Sequence, residues 1–224
     1  MRYLVIGAAG HAQEVAWSLR ERLRDEGAPC ELRFFDDRLP PGPLPSGLGD
    51  VVGTIDDVRS HAAGAALVLG VGLPRLKVTL VERLTPLGLP WVTVVHPRAT
   101  IGPNVELGEG TYVAAGAIVT VNVRLGRFVT VNMHCQVAHD DVVDGFATLH
   151  PDVHLSGNVT IGVGCELGTG SVVIPGARLG DWTVLGAGCV AVRSLPGGAT
   201  YVGLPARAVA RHARFPVDGV RGSR

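Results

Sequence analysis

Residues 132–154 hold Asn132, His134, His139, Asp140, His150, Asp152 and His154. An imidazole titrates near neutrality and so can act as a general base at physiological pH. Asp140 directly follows His139, where a carboxylate can hold the ring in one tautomer and stabilise the imidazolium that forms. Gly157 lies further on. Its N–H has no side chain to block approach and can donate to a developing oxyanion. A base for the nucleophile's proton and a donor for a tetrahedral oxygen are the pair that acyl transfer needs. His139, Asp140, Gly157 and Asn132 are the expected catalytic group, provided the fold brings them together.

The element that must position them is a repeat of six. Stepping by six from Ile101 to Ala191, 15 of 16 positions are Ile, Leu or Val. Two residues before each stands a small or β-branched side chain, such as Ala117, Val123, Cys135 or Ala147, with Asp141 as the one misfit. This period fits neither a helix nor a long alternating strand, but it fits short strands joined by corners, a solenoid. Three hexads make one triangular turn, and stacked turns share a continuous core. Residues 18 apart then lie over one another. His139 is expected under Gly157 and Asn132 under His150, at two different corners. Glycine follows the aliphatic residue at many corners but gives way to Asn132, Ala138, Asp144, His150 and Ser156. A fold that departs locally from its own rules does so most often at a functional site.

Ahead of the coil, residues 1–97 read as a small α/β domain, about half a Rossmann unit. Tyr3–Gly7 is an expected strand. The turn Gly7-Ala8-Ala9-Gly10-His11 leads into a helix with Val15, Leu19 and Leu23 inward. Such a turn leaves N–H groups free for an anion, although it is not the full dinucleotide fingerprint. Gly7, Ala9, Gly10 and His11 are expected to hold phosphates. Asp36 and Asp37, at the tip of a strand over Glu31–Phe35, are expected on a sugar or base. Gly72 forms the opposite wall, and His150 completes the acceptor side. Leu39–Gly49 reads as a loop, Asp56–His61 as a short helix and Ala65–Val71 as a strand. Pro74–Leu87 reads as a helix with Leu76, Leu80 and Leu84 in its core, and Trp91–Val95 as a last strand. The coil is expected over 98–207, followed by a poorly ordered tail over 208–224.

With 20 basic and 20 acidic residues the 224-residue chain has no net charge, which argues against nucleic acid as a partner. No apolar run is long enough to span a bilayer, and the N-terminus lacks a secretory layout. Of the four cysteines, Cys135, Cys165 and Cys189 fall on interior hexad positions and Cys30 does not. These three read as reduced core residues of a cytoplasmic protein.

The hexads resemble those of the hexapeptide-repeat acyltransferases. The stretch Val137-Ala138-His139-Asp140-Asp141-Val142-Val143, with Ser156-Gly157-Asn158, resembles the bacterial sugar O-acyltransferase, sialic acid O-acetyltransferase-like family. Gly7–His11, Asp36-Asp37 and Gly203-Leu204-Pro205-Ala206-Arg207 match its other motifs, so the likeness covers most of residues 3–207. The resemblance implies a left-handed parallel β-helix after the α/β domain, a homotrimer, and acetyl-CoA as co-substrate with no metal. It implies His139 as base and Gly157 as amide donor. Coenzyme A would lie between neighbouring prisms, near Gly157, Gly203, Pro205 and Arg207. Family members often carry Glu where Asp140 stands, and a second His where Thr148 stands. The expected activity is acetyl-CoA-dependent N-acetylation of a UDP-, GDP- or dTDP-linked amino sugar. O-acetylation of a free sugar such as sialic acid is the alternative. A metal site like that of γ-type carbonic anhydrases, using His134 and His139, is a more distant one, since no third ligand stands on their walls. A non-catalytic scaffold is a further alternative.

Overall fold

Strand β1 (Arg2–Ile6) is apolar on both faces because both faces are covered. The strand period of two sends Tyr3 and Val5 towards α1 (Gly10–Asp25) and Leu4 and Ile6 towards the opposite layer. The computed structural model describes residues 1–212. In it β1 is flanked in parallel by β2 (Glu31–Phe35) on one side and by the strand Ala65–Leu69 on the other. The expected loop at 39–49 contains β3 (Gly42–Pro43), antiparallel to β4 (Asp50–Gly53) at the sheet edge. A two-residue strand is too short to show a period. The segment Ile55–His61 is a 3-10 helix. Ala65–Leu69 is β5.

Helix α2 (Pro74–Leu84) starts with Pro at its first turn. Its buried face is rotated from the expected one. Leu76 is 37% exposed, while Lys77 is fully buried beside Val78, Leu80, Val81 and Leu84. The Lys77 ammonium donates to Phe128 O at 3.0 Å, Thr130 Oγ1 at 2.7 Å and Ala147 O at 3.2 Å. Burial pulls its pKa well below the usual lysine value. Lys77 thus ties the helix to backbone of the coil. Beside it Phe128 and Phe146 stack at 5.1 Å and Trp91 meets Phe128 edge-on at 5.2 Å. These rings join α2 and β5 in one core.

The coil itself is a left-handed parallel β-helix. Its three walls are parallel ladders of two-residue strands, each pairing with the strand 18 residues on, as in Gln136↔His154 and Thr130↔Thr148. The aliphatic hexad residues from Val113 to Ala191 are buried and line one core. Ile101, on the first turn, is 37% exposed because only one neighbouring turn covers it. The coil starts earlier than expected. Val94–Val95 pairs with Tyr112–Val113 in the coil ladder, and only Trp91 bridges back to β5. Its far end also differs from the expectation. Ala199–Val202 and Arg207–Arg211 form an antiparallel pair, and buried Tyr201 and Ala206 cap the core. Residues 208–211 are therefore in a strand, and the remaining tail from 213 lies outside the described residues. Cys135, Cys165 and Cys189 are buried free thiols. Burial pushes the first two up to about 12, as suits inert core residues.

Candidate active site

His139 and Asp140 sit at the corner between the strands Gln136–Val137 and Val142–Val143. Asp140 has φ +61°, a left-handed conformation that Asp tolerates well. Its N–H donates to Val121 O on the turn below, and His139 O accepts from Asn158 N–H on the turn above. The corner is thereby held from both sides. His139 Nδ1 and Asp140 Oδ2 are 2.9 Å apart. A carboxylate only accepts, so Nδ1 carries a proton, and in the neutral ring the lone pair is then on Nε2. The His139 hydrogen bond, followed by one from the Asn122 amide, holds the Asp140 carboxyl below its ordinary range.

Gly157 lies directly over the ring. A Cβ there would stand 2.9 Å from His139 Nε2 and 3.0 Å from Cε1. Its φ of +97° is also one that side chains rarely allow. Both facts require glycine. Its N–H makes no backbone hydrogen bond among the described residues, so it is available to an incoming oxygen beside the imidazole.

Asp141, the misfit of the small series, points into the coil and is fully buried. Its Oδ1 accepts from Val159 N–H at 2.8 Å, while Oδ2 has no partner. Burial pushes this carboxyl up from 3.8 to about 6, against the backbone donors that lower it. The folded protein therefore holds this proton to higher pH than the unfolded chain. The stability from this group is complete below about pH 4 and is lost as pH rises through about 6. Asp141→Asn keeps an acceptor for Val159 and has no charge to bury. It is expected to remove that decline and to gain about 2 kcal/mol over the wild type at about pH 8. Denaturant unfolding at about pH 5 and about pH 8 measures it. A variant with the wild-type pH slope would contradict this account.

The other expected residues gather elsewhere. Asn132 is 7% exposed at the preceding corner, with its Oδ1 accepting from Met133 N–H. His150 lies one turn above it and meets Glu166 at 3.0 Å. His134 faces Asp152 at 3.7 Å. Within one chain, Asn132 and His150 thus occupy a different corner from His139 and Gly157. Met133, on a corner position that reads as surface or interface with no assigned role, packs against the α/β core. Among the described residues no group of three or more His, Cys, Asp or Glu could hold a metal ion.

On the α/β domain, the Gly7–His11 turn opens α1 as expected, with Gly7 at φ +98° packed against Gly70. Ala9 is an extended N-cap with no side-chain cap, and Gly10 is the first helical residue. Asp36 Oδ2 accepts from Ala8 N–H, and its Oδ1 accepts from Arg38 and Leu39 N–H. Asp37 bonds Ile55 N–H and pairs with Arg83 at 2.9 Å. Both carboxylates therefore shape the loops around the turn in addition to any ligand role. His11 packs edge-on against Tyr112 and close to Gly72, with Nε2 buried and unpartnered. Gly72 O accepts from the Thr148 hydroxyl, so Thr148 ties the Gly72 loop to the coil wall. A cavity of about 660 Å³ opens between the start of α2 and that wall. Arg38, Arg75, Glu166 and Trp182 are among its lining residues. Gly203 has φ +87° and accepts from Val190 N–H. Pro205 and Arg207 follow on the exposed surface of the C-terminal cap.

Sequence reasoning missed Lys77, Glu166 and Asn122. Counting by 18 from Thr148 reaches Glu166, and counting back from Asp140 reaches Asn122. For Lys77 no such signal existed.

The chain matches no family model. It is similar to the acetyltransferase domain of PglB from Neisseria gonorrhoeae FA1090, solved with acetyl coenzyme A. Identity is 32%, with 93% of this chain and 98% of that one covered and a TM-score of 0.85. It is also similar to PerB from Caulobacter crescentus, solved with CoA and GDP-perosamine. There identity is 31%, coverage 94% and 98%, and the TM-score 0.84. A GDP-perosamine N-acetyltransferase of Escherichia coli O157:H7 is 25% identical over 219 residues, 93% of this chain and 96% of its own length. With more than 30% identity across nearly the full length of solved relatives, the chain belongs to the hexapeptide-repeat sugar acetyltransferases.

Proposed function

We infer that the protein transfers the acetyl group of acetyl-CoA to the amine of a nucleotide-linked amino sugar. The carrying observation is the imidazole of His139, with Nδ1 bonded to Asp140 and Nε2 beside the free N–H of Gly157. The amine attacks the thioester carbonyl, and His139 Nε2 takes the proton that the amine loses. Gly157 N–H donates to the tetrahedral oxyanion. The intermediate then collapses, and the coenzyme A sulfur leaves with the proton from the imidazolium.

The acceptor reading rests on the α/β domain, residues 1–97. Gly7, Ala9, Gly10 and His11 would face the phosphates, with Asp36, Asp37 and Gly72 around the sugar and base. Arg38 and Arg75, which line the adjoining cavity, supply cations for a diphosphate. The relatives solved or named with GDP-perosamine support a nucleotide-linked amine. Asn132 and His150 sit on the corner nearer that domain, away from His139. A homotrimer that sets one copy's His139 corner against a neighbour's Asn132 corner would complete the site. Coenzyme A would run along that groove in the domain 98–207, past Gly157, towards Gly203, Pro205 and Arg207. Its substrates are those of the cytoplasm, where we place the protein. Among the described residues no helix is long and apolar enough to cross a membrane.

Purified protein should release free thiol from acetyl-CoA in the presence of a UDP-, GDP- or dTDP-linked 4-amino sugar, with the acetylated product identified by mass. Turnover of free sugars but not of nucleotide-linked amines would overturn the acceptor assignment.

A further inference from the structure

Three residues at the His139 corner are stacked 18 apart and bonded in series. Asn104 Nδ2 donates to Asn122 Oδ1 at 2.9 Å, and Asn122 Nδ2 donates to Asp140 Oδ1 at 3.0 Å. Asp140 then uses its other oxygen for His139 Nδ1. All three ladder residues have left-handed backbone, with φ of +55°, +56° and +61°. Asn and Asp adopt that conformation more readily than other side chains. Their side chains therefore leave the coil at the same angle on successive turns and meet.

The polarity of the ladder is determined by its last member. Asp140 can only accept, so Asn122 must turn its NH₂ towards it and its oxygen towards Asn104. With Oδ1 engaged by Asn122, the carboxylate presents Oδ2 to the ring. That interaction keeps the proton on Nδ1 and the lone pair on Nε2, beneath Gly157. Without Asn122, the exposed Asp140 side chain is free to rotate, and the ring loses its fixed tautomer.

We propose that Asn122, supported by Asn104, is a positioning residue for acetyl transfer, acting through Asp140 on the tautomer and rotamer of His139. The proposal rests on the reading of His139 as base. The turns above and below bring Asn158 and Asn122 to this corner. Asp140 and Asp141 are the charged neighbours of the ring.

The test uses the full-length protein with Asn122→Gly, because glycine keeps the left-handed backbone without strain and removes only the amide. The kcat is expected to fall about 3- to 10-fold, the range for the net contribution of one ordinary hydrogen bond at a solvent-exposed corner. KM for acetyl-CoA and for the acceptor should stay within about twofold. Nitrogen NMR of labelled histidine should show His139 leaving the pure Nδ1–H tautomer. Asn104→Gly should give the same changes at smaller amplitude. In an Asp140→Ala background Asn122→Gly should have no further effect, since the path it uses is already cut. An unchanged kcat and tautomer, or a fully additive effect in that background, would overturn the proposal. His139→Ala separates the two levels. If it is inactive while Asn122→Gly is normal, the ladder fails and the base assignment stands. If it is fully active, the base assignment fails.

Discussion

His139→Ala is expected to lower kcat by about two to four orders of magnitude, the range for losing a general base. KM for acetyl-CoA should change little, because the ring is assigned to proton transfer and not to holding the thioester. The fold should survive. The His139 side chain is 56% exposed, so its removal opens no cavity in the core. Steady-state thiol release measures the rate, and a thermal melt checks the fold. Turnover close to wild type in a folded variant would remove His139 from the mechanism. Asp140→Ala should be milder, since it loosens the ring without deleting the base.

Gly157→Ala should be nearly as damaging, for two separable reasons. The new methyl would stand 2.9 Å from His139 Nε2, so the imidazole must move away. A displacement approaching 1 Å at a reacting centre costs roughly 100-fold in rate. The left-handed backbone adds about 1–3 kcal/mol of strain for a residue with a side chain. Gly176 is the control. It sits on the next turn of the same corner and donates its N–H to Gly157 O. It has φ +72°, yet nothing lies within 4 Å of its Cβ position. Gly176→Ala should therefore lower the melting temperature without lowering kcat. Gly157→Ala should lower both. Equal kcat losses in the two variants would show that backbone strain, and not the ring contact, is responsible.

The coil was legible because its rule is local and repeated. One aliphatic and one small residue per hexad specify which side chains go inside. The 18-residue turn then specifies which residues stack. That arithmetic alone put His139 under Gly157 and Asn132 under His150, and the ladders carry those registers. The α/β strands read well for a similar reason, since β1 and β5 are apolar runs bounded by turns.

The failures share a cause. Leu76 satisfied the helical period and is exposed, while Lys77 did not satisfy it and is buried. The period reports amphipathicity against a generic core. Lys77 meets two backbone carbonyls and a threonine hydroxyl of the coil, which no hydropathy pattern encodes. Val94–Val95 was read with the first domain, although its partner lies in the coil 18 residues ahead. Asp141 was read only as the misfit of the small series, and nothing in that series told that its carboxylate turns inward to a backbone N–H.

By itself, then, the sequence determined the period, the stacking register and two glycine-dependent backbone features, the corner at Gly157 and the turn at Gly7. These depend on backbone conformation and on near neighbours in a repeating lattice. Only the tertiary structure decided how the two domains dock, which face of α2 is buried, and that Asp140 stands at the end of an asparagine ladder. Those outcomes rest on contacts between segments far apart in the chain. There the energy of a hydrogen bond depends on geometry to within a few tenths of an ångström, and residue type alone does not report it.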